Sequence, residues 1–398
     1  MNRILLRNGH VITPFRRFRG SVLIEDGKIA AVLRDEKFQA DAQTVDVKGN
    51  YVLPGFIDIH VHGGGGCDTM DGNLRSIRKI LDTHAQGGTT GLVLSTVSAP
   101  LEDIIKAIRA VSEAREKFDD GSRILGIHLE GPYISSEEYA RGAHDPNYIR
   151  NPSPEEIKEI LKYSDEIVRV TIAPEIEGAM DLGLKLKSRG IIPCIGHTDA
   201  TLEDVIRAIE AGYSHVTHIY SSTSMTKRRG YKIPGATEAA LLFDELTVEV
   251  IADGKHLPSS LIRLILKSKG LSGVCAVTDA IRAAGLPPGR YKLGSYLGGV
   301  EVIVEDGVAW LPDRSVFAGS IAMMNTVLKN LVEAGLSLQD AARMITFNPA
   351  RIIGVDGEKG SLTEGKDADI VVVDGEFNVL LTVAKGKIVY DSGRLPIR

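Results

Sequence analysis

Short apolar runs alternate with amphipathic segments through the middle of the chain. Eight runs have the length of buried strands, at 56–62, 89–96, 123–130, 167–174, 191–197, 214–220, 246–252 and 273–279. Between them, charged and apolar residues mix as on surface helices, at 73–86, 101–117, 154–163, 178–189, 201–211 and 259–268. Strands that alternate with helices are typical of parallel βα units, and eight such units predict a closed (β/α)8 TIM-like barrel.

Both ends of the chain have a different pattern, in which short β-rich runs are separated by turns. Asp26-Gly27 marks such a turn near the start, and Asp374-Gly375 marks one near the end. The pattern predicts a small β-sandwich domain built from both termini, residues 1–53 and 355–398, beside a catalytic barrel at 54–354.

Composition narrows the class of protein. The 398 residues carry a formal net charge of -5 with a pI near 6.1, which argues against a nucleic-acid-binding protein. The sequence has no apolar run of membrane-spanning length and no signal-peptide anatomy at its start, so we expect a cytoplasmic protein without a membrane segment. Three widely spaced cysteines suggest reduced thiols, and no glycine-rich nucleotide-binding motif follows any predicted strand.

Side chains that bind metals lie where the predicted barrel strands end. Barrel enzymes carry their chemistry at the carboxyl ends of the strands, and the residues found there are His60, His62, Glu130, His197, His218 and Asp279. Because side chains alternate along a strand, Asp58, His60 and His62 share one face. Imidazole and carboxylate groups are ligands for zinc and similar divalent ions, so the sequence predicts a shared metal site.

Each of these residues also has a structural interpretation. A single histidine in a strand is more often a satisfied core residue than a ligand, and it is the shared placement that favours a site. We interpret His10, His84 and His215 as structural, and His128 as supporting a ligand from two residues deeper in its strand. Cys67 follows a glycine run and could approach the site, although a buried inert thiol is the simpler interpretation.

Nearly the whole chain resembles the amidohydrolase superfamily, and within it the branch that deacetylates N-acetylglucosamine 6-phosphate. The resemblance rests on PGFIDIHVHGGGGCDTMDG, GIHLEGPYI, RGAHDPNYI, IGHTDAT, THIY, IADGKH, VTDAIRAAGL, AGSIAMM and GKDADIVV. The superfamily combines a barrel with a small β-sandwich from both termini. A glutamate stands where many superfamily members bridge two metals with a carboxylated lysine, which counts against a hydantoinase or a dihydroorotase.

The resemblance implies roles for individual residues. One metal ion would be held by Glu130, His197 and His218, and a second could sit on His60 and His62 with Glu130 as a bridge. The ion would be zinc first of all, with iron, cobalt or manganese as alternatives. Asp279 would take a proton from the attacking water and return it to the departing amine. His144 and His256 match positions that contact the sugar.

The sequence departs from the family after His218. The family usually has an asparagine there, followed by an arginine that grips the phosphate, often across a dimer interface. Here residues 220–235 are longer and lack that asparagine, so Ser221 and Ser222 stand in its place. Arg228, Arg229 or Lys232 could bind a phosphate, but a basic loop could equally be a solvated surface.

The resemblance implies a homodimeric hydrolase that cleaves a linear amide C–N bond and releases glucosamine 6-phosphate and acetate. The altered 221–232 loop keeps open a second hypothesis, a related enzyme acting on a different N-acyl amino sugar or small amide. A third is a barrel that has lost catalysis and serves in assembly or binding. The presence of every expected ligand and of Asp279 argues against the third hypothesis.

Overall fold

The eight predicted strands form a parallel barrel in a computed structural model, which describes residues 3–398 except for the side chain of Arg229. Neighbouring strands are hydrogen-bonded in the order of the chain. We number them as barrel strands 1 to 8: Phe56–Val61, Thr89–Ser95, Arg123–Glu130, Ile167–Ile172, Ile192–Ile195, His215–Val216, Thr247–Ile251 and Val274–Val277. The barrel predicted from the alternating pattern is therefore confirmed.

The barrel closes between its first and last strands, near their carboxyl ends. The amide of Asp279 donates to the carbonyl of His60 over 3.0 Å, and the amide of His62 donates to the carbonyl of Ala280 over 2.8 Å. A parallel bridge pairs Val61 with Ala280. Since the backbone there belongs to predicted site residues, the bonds that close the barrel also set the spacing of those residues.

Helices form at all six predicted positions, with ends within a few residues of the prediction. The first begins after Asn73, whose side chain accepts from the amide of Ser76, and the residues it buries include Ile77, Ile80 and Leu81. The helices are Leu74–Gln86, Leu101–Lys117, Glu138–Arg141, Pro154–Ile160, Ala179–Ser188, Leu202–Glu210, Ala236–Leu242, Ser259–Lys269, Met324–Glu333, Leu338–Met344 and Phe347–Ile352, with 3-10 turns at Thr69–Asp71, Pro146–Tyr148, Leu161–Tyr163 and Leu271–Gly273. Within residues 3–398, none of the helices has the length and apolar character needed to cross a bilayer.

Both termini build one mixed sheet of eight strands, as the sequence predicted. Tyr51–Pro54, from the N-terminal part, pairs antiparallel with Ile370–Val373 from the C-terminal part. The remaining strands are Arg3–Ile12, Arg17–Glu25, Lys28–Leu33, Gln43–Asp46, Val379–Ala384 and Lys387–Asp391. The domain boundaries after residues 53 and 354 stay a prediction.

The strand Ile370–Val373 joins this sheet to the barrel. Ile370 and Val372 pack in the core of the terminal sheet, whereas Val371 and Val373 pack with the barrel core, and all four are fully buried. Because successive side chains point to opposite faces, burial of both faces explains why this strand is apolar throughout.

Small β structures lie in three of the connections that follow barrel strands. Lys227–Arg229 pairs with Tyr231–Ile233 in a hairpin between barrel strands 6 and 7. Gly289–Leu293, Val300–Glu305 and Val308–Trp310 form a three-stranded sheet after barrel strand 8. A further short pair, Gly63–Gly64 with Cys67–Asp68, follows barrel strand 1.

We predict that Gly88→Ala destabilises the protein by about 3 kcal/mol, because the substitution both strains the backbone and overpacks the interior. Gly88 has a φ of 84°, which costs an L-residue about 1–2 kcal/mol. A Cβ atom there would also lie 2.8 Å from side-chain atoms of both Phe56 and Val371, and such overpacking costs about 1–3 kcal/mol. Chemical denaturation measures the loss.

Gly190→Ala is the matched control, since Gly190 has a φ of 74° but no atom within 4 Å of an added Cβ. It should lose only the backbone part, about 1 kcal/mol. Equal losses in the two variants would contradict the tight packing inferred between the terminal sheet and the barrel.

Candidate metal centre

A cavity of about 370 Å³ opens at the carboxyl ends of the barrel strands. Its lining includes most of the residues singled out from the sequence, namely His62, Glu130, His144, His197, His218, Ser221, Ser222, His256 and Asp279. His60 lies directly behind the cavity, with no exposed surface. The topology therefore brings together side chains that are more than two hundred positions apart in the chain, such as His62 and Asp279.

Sharp turns at the strand ends direct three of these side chains into the cavity. His197, His218 and Asp279 have positive φ values of 49°, 28° and 51°. Such a backbone is uncommon for residues other than glycine and costs of the order of 1–3 kcal/mol each. The strained backbone occurs here at the junctions of strands and loops. Strain of this kind is typical of functional sites.

Glu130, His197 and His218 form the first candidate metal group, and all three are buried. The Oε1 atom of Glu130 lies 2.9 Å from Nε2 of His218 and 3.2 Å from Nε2 of His197. The two Nε2 atoms are 3.1 Å apart. Donor atoms this close can share one cation.

His60, His62 and Asp279 form the second candidate group. Oδ1 of Asp279 lies 3.1 Å from Nε2 of His62 and 3.5 Å from Nε2 of His60. Glu130 reaches this group as well, at 3.1 Å from His62 and 3.3 Å from His60. A single carboxylate thus stands between both groups, in the position of a bridge.

The histidines of the first group present unprotonated nitrogens to the site. Nδ1 of His197 donates to the carbonyl of Ala140 over 2.8 Å, and Nδ1 of His218 donates to that of Ser221 over 3.0 Å. Because a carbonyl only accepts, the proton of a neutral ring sits on Nδ1 and the lone pair of Nε2 faces the site. Burial lowers the pKa of His197 to about 4, so this ring is neutral, as a metal ligand must be.

The second group also fits a cation. Nε2 of His60 is buried without a hydrogen-bond partner among residues 3–398, although it points toward two carboxylates. Burial by itself would raise the pKa of Glu130, but the surrounding imidazoles, His60 foremost, hold that pKa well below its usual range. Burial likewise opposes ionisation of Asp279, yet His60 and His62 lower its pKa. Ionised carboxylates beside imidazoles are the donor set that divalent metals prefer.

The remaining histidines have separate places. The ring of His128 is held between Ser95 and Thr171, at 3.0 and 2.7 Å, and stacks edge-on against His60. Nε2 of His84 contacts the carbonyl of Gly63, and His215 contacts Thr247. These three, with His10 in the terminal sheet and Cys67, belong to neither candidate metal group, and their roles stay predictions.

His144 and His256 line the cavity in defined orientations. The amide of Ser98 donates to Nδ1 of His144 over 3.1 Å, which leaves Nε2 of that ring as the nitrogen facing Glu130, 3.6 Å away. Nδ1 of His256 contacts the carboxylate of Asp253 over 2.8 Å. Both rings are therefore fixed by partners that sequence reasoning did not single out.

Two of the basic residues predicted to bind phosphate, Arg228 and Lys232, are not in the cavity wall. Arg228 and Lys232 are exposed on the Lys227–Ile233 hairpin, and the side chain of Arg229 lies outside the described part of the structure. Lys227 forms an ion pair with Asp199. Of the described residues that line the cavity, none is lysine or arginine. The roles of all these residues stay predictions.

Sequence reasoning missed one wall of the cavity. The segment after barrel strand 8 supplies Leu293, Trp310 and Phe317, and the rings of Trp310 and Phe317 are 4.4 Å apart in an edge-to-face contact. The signal was present, since residues 300–310 alternate between apolar and polar positions around Asp306-Gly307, which is a hairpin pattern. What no local pattern indicates is that this hairpin folds over the barrel mouth.

Comparison with known proteins agrees with this geometry. The model of the amidohydrolase family matches residues 51–389, which is most of the chain. The chain belongs to the amidohydrolase family. This amidohydrolase is 35% identical over 379 residues to the N-acetylglucosamine-6-phosphate deacetylase of Bacillus subtilis, covering 94% of this chain and 93% of that protein. The resemblance stated from the sequence motifs is therefore confirmed.

Solved structures agree as well. The N-acetylglucosamine-6-phosphate deacetylase from Pasteurella multocida superposes with a TM-score of 0.90 at 31% identity, covering 97% of this chain and 99% of that one. A variant of the Mycobacterium smegmatis enzyme, in complex with N-acetyl-D-glucosamine-6-phosphate, superposes with a TM-score of 0.88 at 31% identity, covering 98% and 100%. The amidohydrolase superfamily is metal-dependent, and this member carries two candidate metal groups.

We predict that Glu130→Gln weakens divalent-metal binding by more than about 100-fold, because it removes the charge that both groups share. Losing a direct ligand should exceed the effect of losing a supporting partner, which is about 10–100-fold. Metal content after dialysis against a chelator measures the effect. Glu156→Gln is the control, since Glu156 is also buried and ion-paired, with Arg150, but lies outside the cavity. Retention of metal by the Glu130 variant would contradict the assignment.

Proposed function

We propose that this amidohydrolase removes the acetyl group from N-acetylglucosamine 6-phosphate and releases glucosamine 6-phosphate and acetate. The observation that carries the proposal is the position of Glu130, within 3.6 Å of five imidazoles and close to Asp279, at the mouth of the barrel. The names of the relatives and the bound ligand of the Mycobacterium smegmatis structure support the choice of substrate.

Glu130, His197 and His218 would hold one divalent ion, and His60 and His62 would hold a second one with Glu130 as the bridge. Zinc is our first choice, because two imidazoles with one carboxylate suit it, while iron, cobalt and manganese also bind imidazole and carboxylate groups. When bound, such an ion lowers the pKa of water and polarises the amide carbonyl. The cytoplasmic location and the homodimer expected from the sequence stay predictions.

Asp279 would move the proton of the reaction. Its carboxylate faces the cavity, and its lowered pKa keeps it ionised and able to accept a proton from the attacking water. The water oxygen adds to the amide carbon, the C–N bond then breaks, and the same carboxyl group returns the proton to the departing nitrogen. The second proton of the water passes from the new carboxylic acid to the amine, so the products are acetate and a protonated amine.

The cavity suits a sugar next to these groups. Trp310 and Phe317 offer an aromatic wall to the apolar face of a ring, while His144 and His256 offer fixed polar nitrogens to its hydroxyl groups. Ser221 and Ser222 provide further hydrogen-bonding groups on the side of barrel strand 6.

The described cavity wall offers no lysine or arginine to bind the phosphate of the substrate. Since no cation is found among the described lining residues, Arg228, Arg229 or Lys232 would have to reach the phosphate from the hairpin. The same observation supports a second candidate, in which the enzyme deacetylates an N-acyl amino sugar without a phosphate.

We predict that Asp279→Asn lowers kcat by about 10²- to 10⁴-fold and changes KM little, because the general acid and base is lost while the sugar contacts stay. Release of acetate and of free amine should fall together. Asp181→Asn, on the exposed side of an outer helix, is the control and should behave as the native protein does. An Asp279 variant with unchanged kcat would contradict the proposed chemistry.

A substrate panel separates the two candidates. We expect kcat/KM to be higher for N-acetylglucosamine 6-phosphate than for N-acetylglucosamine, and we expect Arg228→Ala combined with Lys232→Ala to lower it for the phosphorylated sugar alone. The unphosphorylated sugar serves as the internal control for both measurements. A preference for the unphosphorylated sugar would replace the first candidate with the second.

A further inference from the structure

Glu249 lies in barrel strand 7, directly beneath the candidate metal groups, and has no exposed surface. Its Oε1 atom is 2.6 Å from Nδ1 of His60 and accepts the backbone amide of His218 over 3.0 Å. Its Oε2 atom is 2.6 Å from Arg169 and 3.3 Å from His215. One buried carboxylate therefore contacts residues of both metal groups.

The position is costly for a charged side chain. A carboxylate and a guanidinium that are both fully removed from water lose several kcal/mol of hydration each, and their attraction offsets this only with good geometry. Val248 and Val250, its neighbours in the strand, are fully buried apolar residues. Stability alone therefore gives no reason for a glutamate here, whereas its contacts with the metal groups do.

The contact with His60 decides how that ring faces the site. Because a carboxylate only accepts, Nδ1 of His60 carries the proton and Nε2 is left toward Glu130 and Asp279. A carboxylate in this position also makes the imidazole a stronger donor to a cation, and it holds the ring in one orientation. In the first metal group, the backbone amide of His218 donates a hydrogen bond to Glu249. This bond stabilises the backbone of His218, whose φ is 28°.

We propose that Glu249 is a positioning residue that fixes His60 for metal binding and ties the two metal groups together. The proposal rests on the metal centre proposed above. Arg169 contributes to this positioning, because it balances the charge of Glu249 and itself donates a hydrogen bond to Thr217.

The test measures metal affinity rather than activity. Metal-free protein is titrated with Zn²⁺ in competition with a chromogenic chelator, for the native chain and for Glu249→Gln, His60→Asn and the double variant. We expect Glu249→Gln to weaken binding by about 10- to 100-fold. Since Glu249 acts mainly through His60, the double variant should bind within about twofold of His60→Asn alone.

Asp369→Asn is the matched control, because Asp369 is a buried carboxylate paired with Lys359 over 2.7 Å, lies just before the strand Ile370–Val373, and does not line the cavity. It should bind Zn²⁺ as the native chain does. If Glu249→Gln fails to fold, Glu249→Gln with Arg169→Met removes both charges together and carries the same expectation.

The outcomes separate two kinds of failure. Native affinity in Glu249→Gln, with weakened affinity in His60→Asn, would overturn this inference and leave the metal centre intact. Native affinity in His60→Asn would overturn both the ligand assignment and the inference. Equal losses in the Asp369 control would show an effect on folding, and a double variant much weaker than His60→Asn would show that Glu249 does not act mainly through His60; either result would overturn the inference.

Discussion

The site depends on one buried carboxylate surrounded by imidazoles. Glu130 is 2% exposed, and at that depth an ionised carboxylate is unstable unless positive charge or hydrogen-bond donors surround it. An ion held between Glu130 and the imidazoles of His60, His62, His197 and His218, which come from three other strand ends, would supply that charge. Because a closed barrel brings the carboxyl ends of its strands to one rim, the fold meets this requirement without any contact between sequence neighbours.

A polar network lies below the site inside the barrel, where an apolar core would be the simpler solution. Arg169 and Glu249 have no exposed surface. Hydrogen bonds link Arg169 to Thr217, Thr217 to Thr171, and Thr171 to His128. Such a network orients side chains at a cost in stability, and the cost is larger here because Nε of Arg169 has no hydrogen-bond partner among the described residues. The barrel interior is thus arranged for the geometry of the site more than for stability.

Chemistry and specificity come from different parts of this amidohydrolase. The strand ends hold the candidate metal groups, whereas the segment after barrel strand 8 and residues 220–222 line the rest of the cavity. Loops on a rigid scaffold can change without moving the strand ends. The departure of residues 220–235 from the family pattern therefore bears on the choice of substrate and leaves the metal groups untouched.

Local patterns determined the eight strands, the six outer helices, the sheet from both termini and the residues at the strand ends, because periodicity and turn chemistry act over a few positions. They also placed His60, His62, Glu130, His197, His218 and Asp279 at one rim, since the order of a barrel follows the order of the chain. Only the tertiary structure decided that Glu249 and Arg169 meet beneath His60, that Trp310 and Phe317 close one wall, and that Arg228 and Lys232 stay outside it. Those contacts join residues far apart in the chain. Packing sets the distances between such residues, and a local sequence pattern carries no information about packing.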